Sequence, residues 1–81
     1  MKKEIFKKVA DSTENLKKLK NRTEFNIWYF NNFGLNTKNV VYYYEALKSI
    51  GIDINDFPSI MSFKVQGFYD TINKLKDEGL I

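Results

Sequence analysis

The sequence contains no cysteine, no histidine and a single proline in its 81 residues. Without cysteine, the fold uses neither disulfide bonds nor thiolate metal sites, which is typical of a reducing compartment. Without histidine or cysteine, the chain lacks the commonest general base, the thiol nucleophile and the soft metal ligands. These absences predict a cytoplasmic protein that is not an enzyme and holds neither a metal nor another cofactor.

Glycine and long apolar runs are also scarce. The four glycines are scattered, so no glycine-rich phosphate loop is present. No stretch approaches the roughly 18 apolar residues of a membrane span, and the N-terminus lacks the apolar run of a secretory signal. Two carboxylate pairs, Asp53 with Asp56 and Asp77 with Glu78, fall at predicted helix ends, where capping or solvent exposure explains them. We therefore expect no membrane association and no catalysis.

Positive charge is concentrated near the N-terminus. Residues 1–22 contain eight lysines and arginines against three acidic residues, a net charge of +5, whereas the whole chain carries +3. A basic element on a slightly acidic body is typical of phosphate binding, although an ordinary solvated helix face has the same pattern. The predicted nucleic-acid contacts, with DNA favoured over RNA, are Lys3, Lys7, Lys17, Lys18, Lys20 and Arg22.

Apolar spacing predicts helices in the first half of the chain. A basic helix is expected over about 3–20. Residues 11–14, "DSTE", have the form of a capping box, so a break into two helices at this point is the alternative. For residues 23–33, "TEFNIWYFNNF", we predict a helix capped by Thr23, because Gly34 follows as a stop signal. A strand is the alternative for this segment, since its apolar residues also alternate.

The second half contains two clearer helices, over 37–50 and 65–78. Asn36 or Thr37 is the expected cap of the first, and Asp53 or Asn55 is expected to cap a short turn that runs through 59–61. Three glycines are predicted to end helices: Gly34, Gly51 and Gly79. Gly51 is expected to adopt the left-handed conformation, and Gly79 is expected to end its helix in the same way. Residues 1–81 thus predict a single all-α domain, a small bundle of four or five short helices. Its predicted core comprises Val9, Leu16, Leu19, Phe30, Val40, Tyr44, Leu47, Phe68, Ile72 and Leu75.

The last two predicted helices have similar patterns of apolar residues. Gly51 and Gly79 lie 28 residues apart, and at this offset apolar positions of one helix match apolar positions of the other. The segment from Pro58 to Leu80 resembles one repeat of the mitochondrial transcription termination factor (mTERF) family, and the resemblance covers about residues 37–80. The matching positions are Pro58, Ile60, Met61, Phe63, Val65, Phe68, Ile72, Leu75, Gly79 and Leu80. The resemblance implies two stacked helical repeats and nucleic-acid binding, but supplies no residue-specific binding motif.

Aromatic residues make up 16% of the chain, more than a thin core readily hides. Trp28, Tyr29 and Tyr42 are candidates for stacking on unpaired bases. A helix-turn-helix over 23–50 is a further interpretation, with Asn36, Thr37, Lys38 and Asn39 at the start of the recognition helix. The alternative function is a protein-binding module, such as a small phage- or plasmid-encoded inhibitor or regulator with exposed rings, and a homodimer is compatible with both. An exposed basic surface favours the first function and an exposed aromatic patch favours the second.

Overall fold

The computed structural model describes residues 1–57 and 65–81, and the described ranges are helical, with no strand among them. The α-helices are α1 (Lys2–Asp11), α2 (Thr13–Leu16), α3 (Arg22–Phe33), α4 (Val40–Ser49) and α5 (Val65–Asp77). Two 3₁₀ turns, Thr37–Asn39 and Ile54–Asp56, precede α4 and follow it. The all-α class is confirmed, as is the helix interpretation of 23–33. The predicted turn through 59–61 lies outside the described residues. So do four positions of the mTERF pattern, which are Pro58, Ile60, Met61 and Phe63.

The expected break at "DSTE" is confirmed, because α1 ends at Asp11 and α2 begins at Thr13 with Ser12 as its N-cap. The predicted extent to residue 20 is wrong, because α2 ends at Leu16. The Ser12 N–H bonds the carbonyls of both Lys8 and Val9 at 3.1 Å. The Thr13 hydroxyl donates to the Ala10 carbonyl at 2.7 Å, closing the end of α1. Residues 17–20 therefore form a turn between two helices.

Helix α3 begins earlier than predicted. Asn21 is its N-cap, and the Asn21 side-chain oxygen accepts the Glu24 N–H at 2.9 Å, so the predicted Thr23 cap is wrong. The Glu24 carboxylate in turn accepts the N–H of Lys20. This arrangement resembles a capping box, in which the cap side chain accepts an N–H of the first helical turn and the side chain of the third helical residue accepts a backbone N–H at the helix start.

The three predicted glycine stops are confirmed. Gly34, Gly51 and Gly79 all adopt positive φ, at 71°, 89° and 75°. After Gly51 the Ile52 N–H bonds the Leu47 carbonyl at 3.0 Å, and after Gly79 the Leu80 N–H bonds the Leu75 carbonyl at 2.9 Å. These are Schellman endings, and Ile52 is buried after the first whereas Leu80 is exposed after the second.

The core lies between α1 and α4 on one side and α3 and α5 on the other. Helix α1 packs against α4, α3 packs against α5, and α4 also contacts α5 and both 3₁₀ turns. Leu19 and Phe30 are only partly buried, which corrects their assignment to the core, and the other predicted core residues are buried. Phe25 and Tyr29, absent from the predicted core, are completely buried.

Candidate nucleic-acid interface

The lysines of the N-terminal third are exposed to solvent. On α1 the apolar side chains of Ile5 and Val9 face the core and are completely buried. Lys3, Lys7 and Lys8 are exposed on the remaining surface of that helix. The spacing of 3.6 residues per turn explains this division, because positions 5 and 9 share one face.

Three more lysines lie in the turn between α2 and α3. Leu16 is completely buried and Leu19 is partly buried, so the turn is anchored to the core by its leucines. Lys17, Lys18 and Lys20 are exposed on its outer side. We call these three residues the lysine turn.

Some of the N-terminal charge is neutralised by ion pairs. Lys2 pairs with Glu45 at 3.6 Å and Lys7 pairs with Asp11 at 3.0 Å. Both pairs are exposed, and such pairs contribute little to stability because water screens them. Within the described ranges, five N-terminal lysines form no ion pair, and we call them the unpaired lysines: Lys3, Lys8, Lys17, Lys18 and Lys20.

Arg22 does not belong to this surface, which corrects its assignment as a phosphate contact. Its side chain is 8% exposed, and its Nη2 donates a hydrogen bond to the Ile54 carbonyl at 3.2 Å. Arg22 is the first residue of α3, and its side chain runs inward to the second 3₁₀ turn. It therefore links α3 to the segment after α4.

Lys8 is exposed but was not among the predicted contacts. In a single continuous helix, one face would carry Lys3, Lys7, Lys18 and Arg22. Lys8 would lie outside that face. The break at Ser12 removes that face, and exposure then decides which lysines are available. The count of positive charges in residues 1–22 already included Lys8 and was the better signal.

The aromatic candidates are largely engaged in the core. Tyr29 is completely buried, its hydroxyl donates to the Asn36 carbonyl at 3.1 Å, and its ring lies 4.7 Å from that of Tyr43. Burial raises the pKa of Tyr29. Its assignment as a base-stacking residue is therefore corrected.

Trp28 and Tyr42 are both partly buried. Trp28 stacks on Tyr43, with ring centroids 5.9 Å apart and planes inclined by 18°, and meets the ring of Phe33 edge-on at 6.1 Å. The Lys2 ammonium lies 5.4 Å from the centroid of the Tyr42 ring, within cation–π range. Each ring already has a partner within the fold.

A buried polar cluster joins α3 to α4. The Tyr43 hydroxyl donates to the Phe25 carbonyl, and the Tyr44 hydroxyl donates to the Asn26 side-chain oxygen. Burial raises the pKa of Tyr44 to about 12, against the opposing effects of the Asn26 hydrogen bond and the nearby Arg22 charge. Burial also raises the pKa of Tyr43 well above its usual value. These hydroxyls stay protonated and satisfy backbone and amide acceptors inside the core.

A cavity of about 250 Å³ lies between α4 and the second 3₁₀ turn. It is lined by Val41, Tyr44, Glu45, Lys48, Asp53, Ile54 and Asn55. Its carboxylates are both engaged, since Glu45 pairs with Lys2 and Asp53 accepts the Asn55 N–H at 3.0 Å. The second contact makes Asp53 the cap of the second 3₁₀ turn. The predicted turn through 59–61 lies outside the described residues.

The start of α4 offers few side chains to a DNA groove. Asn39 is buried and Asn36 is partly buried, while Lys38 is exposed. The N-cap of α4 is Asn39, which makes no side-chain cap hydrogen bond, and the 3₁₀ turn Thr37–Asn39 occupies the predicted start of the helix. In the described ranges, no cluster of three or more acidic side chains is arranged to bind a metal ion. None of the described helices combines the length and apolar character that crossing a bilayer requires.

No protein-family model, curated protein or solved structure matches this chain. The resemblance to mTERF repeats and the nucleic-acid-binding habit it implies therefore stay predictions.

Proposed function

We propose that this chain is a small, non-enzymatic nucleic-acid-binding module that contacts phosphates through its unpaired lysines. The observation that supports this function most directly is that five exposed lysines within residues 1–20 form no ion pair among the described residues. Lysine ammonium groups attract the phosphate backbone and position a protein on it without reading sequence.

The lysine turn is the strongest part of this surface. Its three cations are separated by at most three positions in the chain. The buried Leu16 and the partly buried Leu19 hold the turn against the core. Glu14 and Glu24 are the acidic residues nearest in sequence, and the Glu24 carboxylate is engaged by the backbone of Lys20. Charge is thus presented outward from a fixed segment.

The alternative function, protein binding through exposed rings, has less support. In the part of the chain that the structure describes, every aromatic side chain is at least partly buried. The large apolar side chains that are exposed there are Met1, Val41 and Leu80, none of them aromatic.

Fluorescence anisotropy with a short labelled duplex DNA, titrated at several salt concentrations, tests the proposed function. If all five unpaired lysines contact phosphates, the slope of log K against log salt is about −4.5, because each contact contributes about −0.9. Neutralising the lysine turn in the variant Lys17→Gln/Lys18→Gln/Lys20→Gln should reduce the steepness of the slope by about 2.7.

A matched control variant separates a local surface from overall charge. Lys38, Lys48 and Lys74 are also exposed, and their triple change to glutamine removes the same charge elsewhere. We expect this control to keep most of the slope. Absence of binding at low salt, or an equal loss of slope in both variants, would contradict the proposed interface.

A further inference from the structure

The rings that would stack on bases are held by contacts within the fold. Trp28 is stacked on Tyr43 and meets Phe33 edge-on. Tyr29 is enclosed by Phe33, Tyr43 and Phe68, with centroid distances of 5.0, 4.7 and 5.4 Å. A base would have to displace these partners before it could stack.

Tyr42 is the remaining candidate ring, and its partner is the Lys2 ammonium of the basic N-terminus. The Lys2 ammonium lies 5.4 Å from the Tyr42 ring centroid and 5.7 Å from that of Phe6, and it also pairs with Glu45. This arrangement ties Tyr42 to α1. A base that stacked on Tyr42 would compete with the Lys2 contact and gain less than it would on a free ring.

The unpaired lysines, in contrast, offer point charges with no fixed hydrogen-bonding geometry. An ammonium group on a flexible four-carbon stem contacts phosphate oxygens without the forked geometry by which arginine reads base edges. The chain's one arginine is buried against Ile54. The available contacts therefore respond to the density of phosphate charge.

We infer that the unpaired lysines select nucleic acids by charge density alone. Duplex DNA then binds more tightly than single-stranded DNA of the same length, and neither base sequence nor base stacking contributes. The inference rests on the proposed function and deepens it. Its physical basis is that a duplex presents one charge per roughly 1.7 Å of axis, about twice the density of one of its strands.

The experiment compares one labelled duplex with each of its separate strands and with a duplex of scrambled sequence, at several salt concentrations. We expect a slope of about −4.5 for the duplexes and about −3.5 for the single strands, with equal affinity for both duplex sequences. Trp28 is the only tryptophan, so its fluorescence reports directly on stacking and should stay unchanged on saturation.

The variant Tyr42→Leu removes the remaining candidate ring while keeping an apolar side chain. Its affinity for single strands should match that of the unchanged chain. Tighter binding of single strands than of duplex, with quenching of Trp28 or a loss of affinity in Tyr42→Leu, would overturn the inference but leave phosphate binding intact. A complete absence of binding at low salt would overturn the proposed function as well.

Discussion

Glu24 has two opposed effects on the lysine turn. Its carboxylate accepts the Lys20 N–H, and its own N–H bonds the Asn21 side chain, so it stabilises the start of α3. It also places a negative charge against the backbone of the lysine turn. Stability and phosphate affinity should therefore respond to this residue in opposite directions.

The variant Glu24→Gln is expected to lower the free energy of unfolding by about 1 kcal/mol, because a charge-assisted hydrogen bond at a helix start becomes a neutral one. The same change should raise affinity for duplex DNA at low salt. Urea unfolding and anisotropy measure the two effects. Glu14→Gln is the matched control, since Glu14 is exposed and should raise affinity without lowering stability. A fall in both quantities for Glu24→Gln would show that the order of the turn matters more than its charge.

Tyr44 makes stability depend on alkaline pH. Its pKa is raised to about 12 in the folded chain and is about 10 when unfolded. The folded state holds the proton more tightly, so the contribution is complete below about pH 10 and is lost as pH rises toward about 12. Two pKa units correspond to about 2.7 kcal/mol, and burial of Tyr43 acts in the same direction.

We expect the free energy of unfolding to be flat up to about pH 10 and to fall steeply above it. Urea unfolding at stepped pH measures this, with tyrosinate absorbance reporting ionisation. The variant Tyr44→Phe should lose about 1–2 kcal/mol near neutrality, because the Asn26 oxygen loses the hydrogen bond from this hydroxyl, and should show a shallower alkaline fall. An alkaline fall of undiminished size in that variant would assign the effect to other tyrosines.

At the scale of elements, the boundaries were best predicted where a backbone conformation requires one residue type. Gly51 has φ 89°, a region that other residues avoid, and its position in the sequence identified the end of α4 correctly. The Asn21 cap was harder to predict, because Ser, Thr, Asn and Asp all cap helices and the stretch from 11 to 23 contains several of them. The hydrogen bond from the Glu24 N–H to the Asn21 side chain decides which of these residues caps α3.

The variant Gly51→Ala should lower the free energy of unfolding by about 1–2 kcal/mol through backbone strain alone. No atom lies within 4 Å of the position that a Cβ would take there, so crowding adds nothing. Chemical denaturation measures the loss. Gly51→Asn is the informative comparison, because asparagine tolerates the left-handed region and should lose less. Equal losses for the two variants would contradict an origin in backbone conformation.

At the scale of the whole molecule, the basic N-terminus is part of the core. Helix α1 packs on α4 with Ile5 and Val9 completely buried, and the radius of gyration of 11.7 Å is that of a compact chain of this length. A flexible basic arm would have left α4 exposed. The lysines are therefore presented on a surface whose orientation the fold sets.

Removal of residues 1–11 should prevent folding, because a domain of this size has little stability to spare. In the full chain, Ile5→Ala should lower the free energy of unfolding by about 2–5 kcal/mol, whereas Lys3→Ala on the exposed face should change it by less than about 0.5 kcal/mol. Circular dichroism and urea unfolding measure both. Residues 12–81 folding with undiminished stability would show that α1 is an appendage.

The sequence by itself determined the helical class, the three glycine stops and most of the core, because these follow from local periodicity and from backbone conformations that few residues adopt. It also located the excess positive charge in residues 1–22. Tertiary structure alone decided which members of that region face solvent. Arg22 turns inward to Ile54, Tyr29 enters the core and Lys8 stays outside, since burial depends on which helices pack together, and that information lies in contacts between residues distant in the chain.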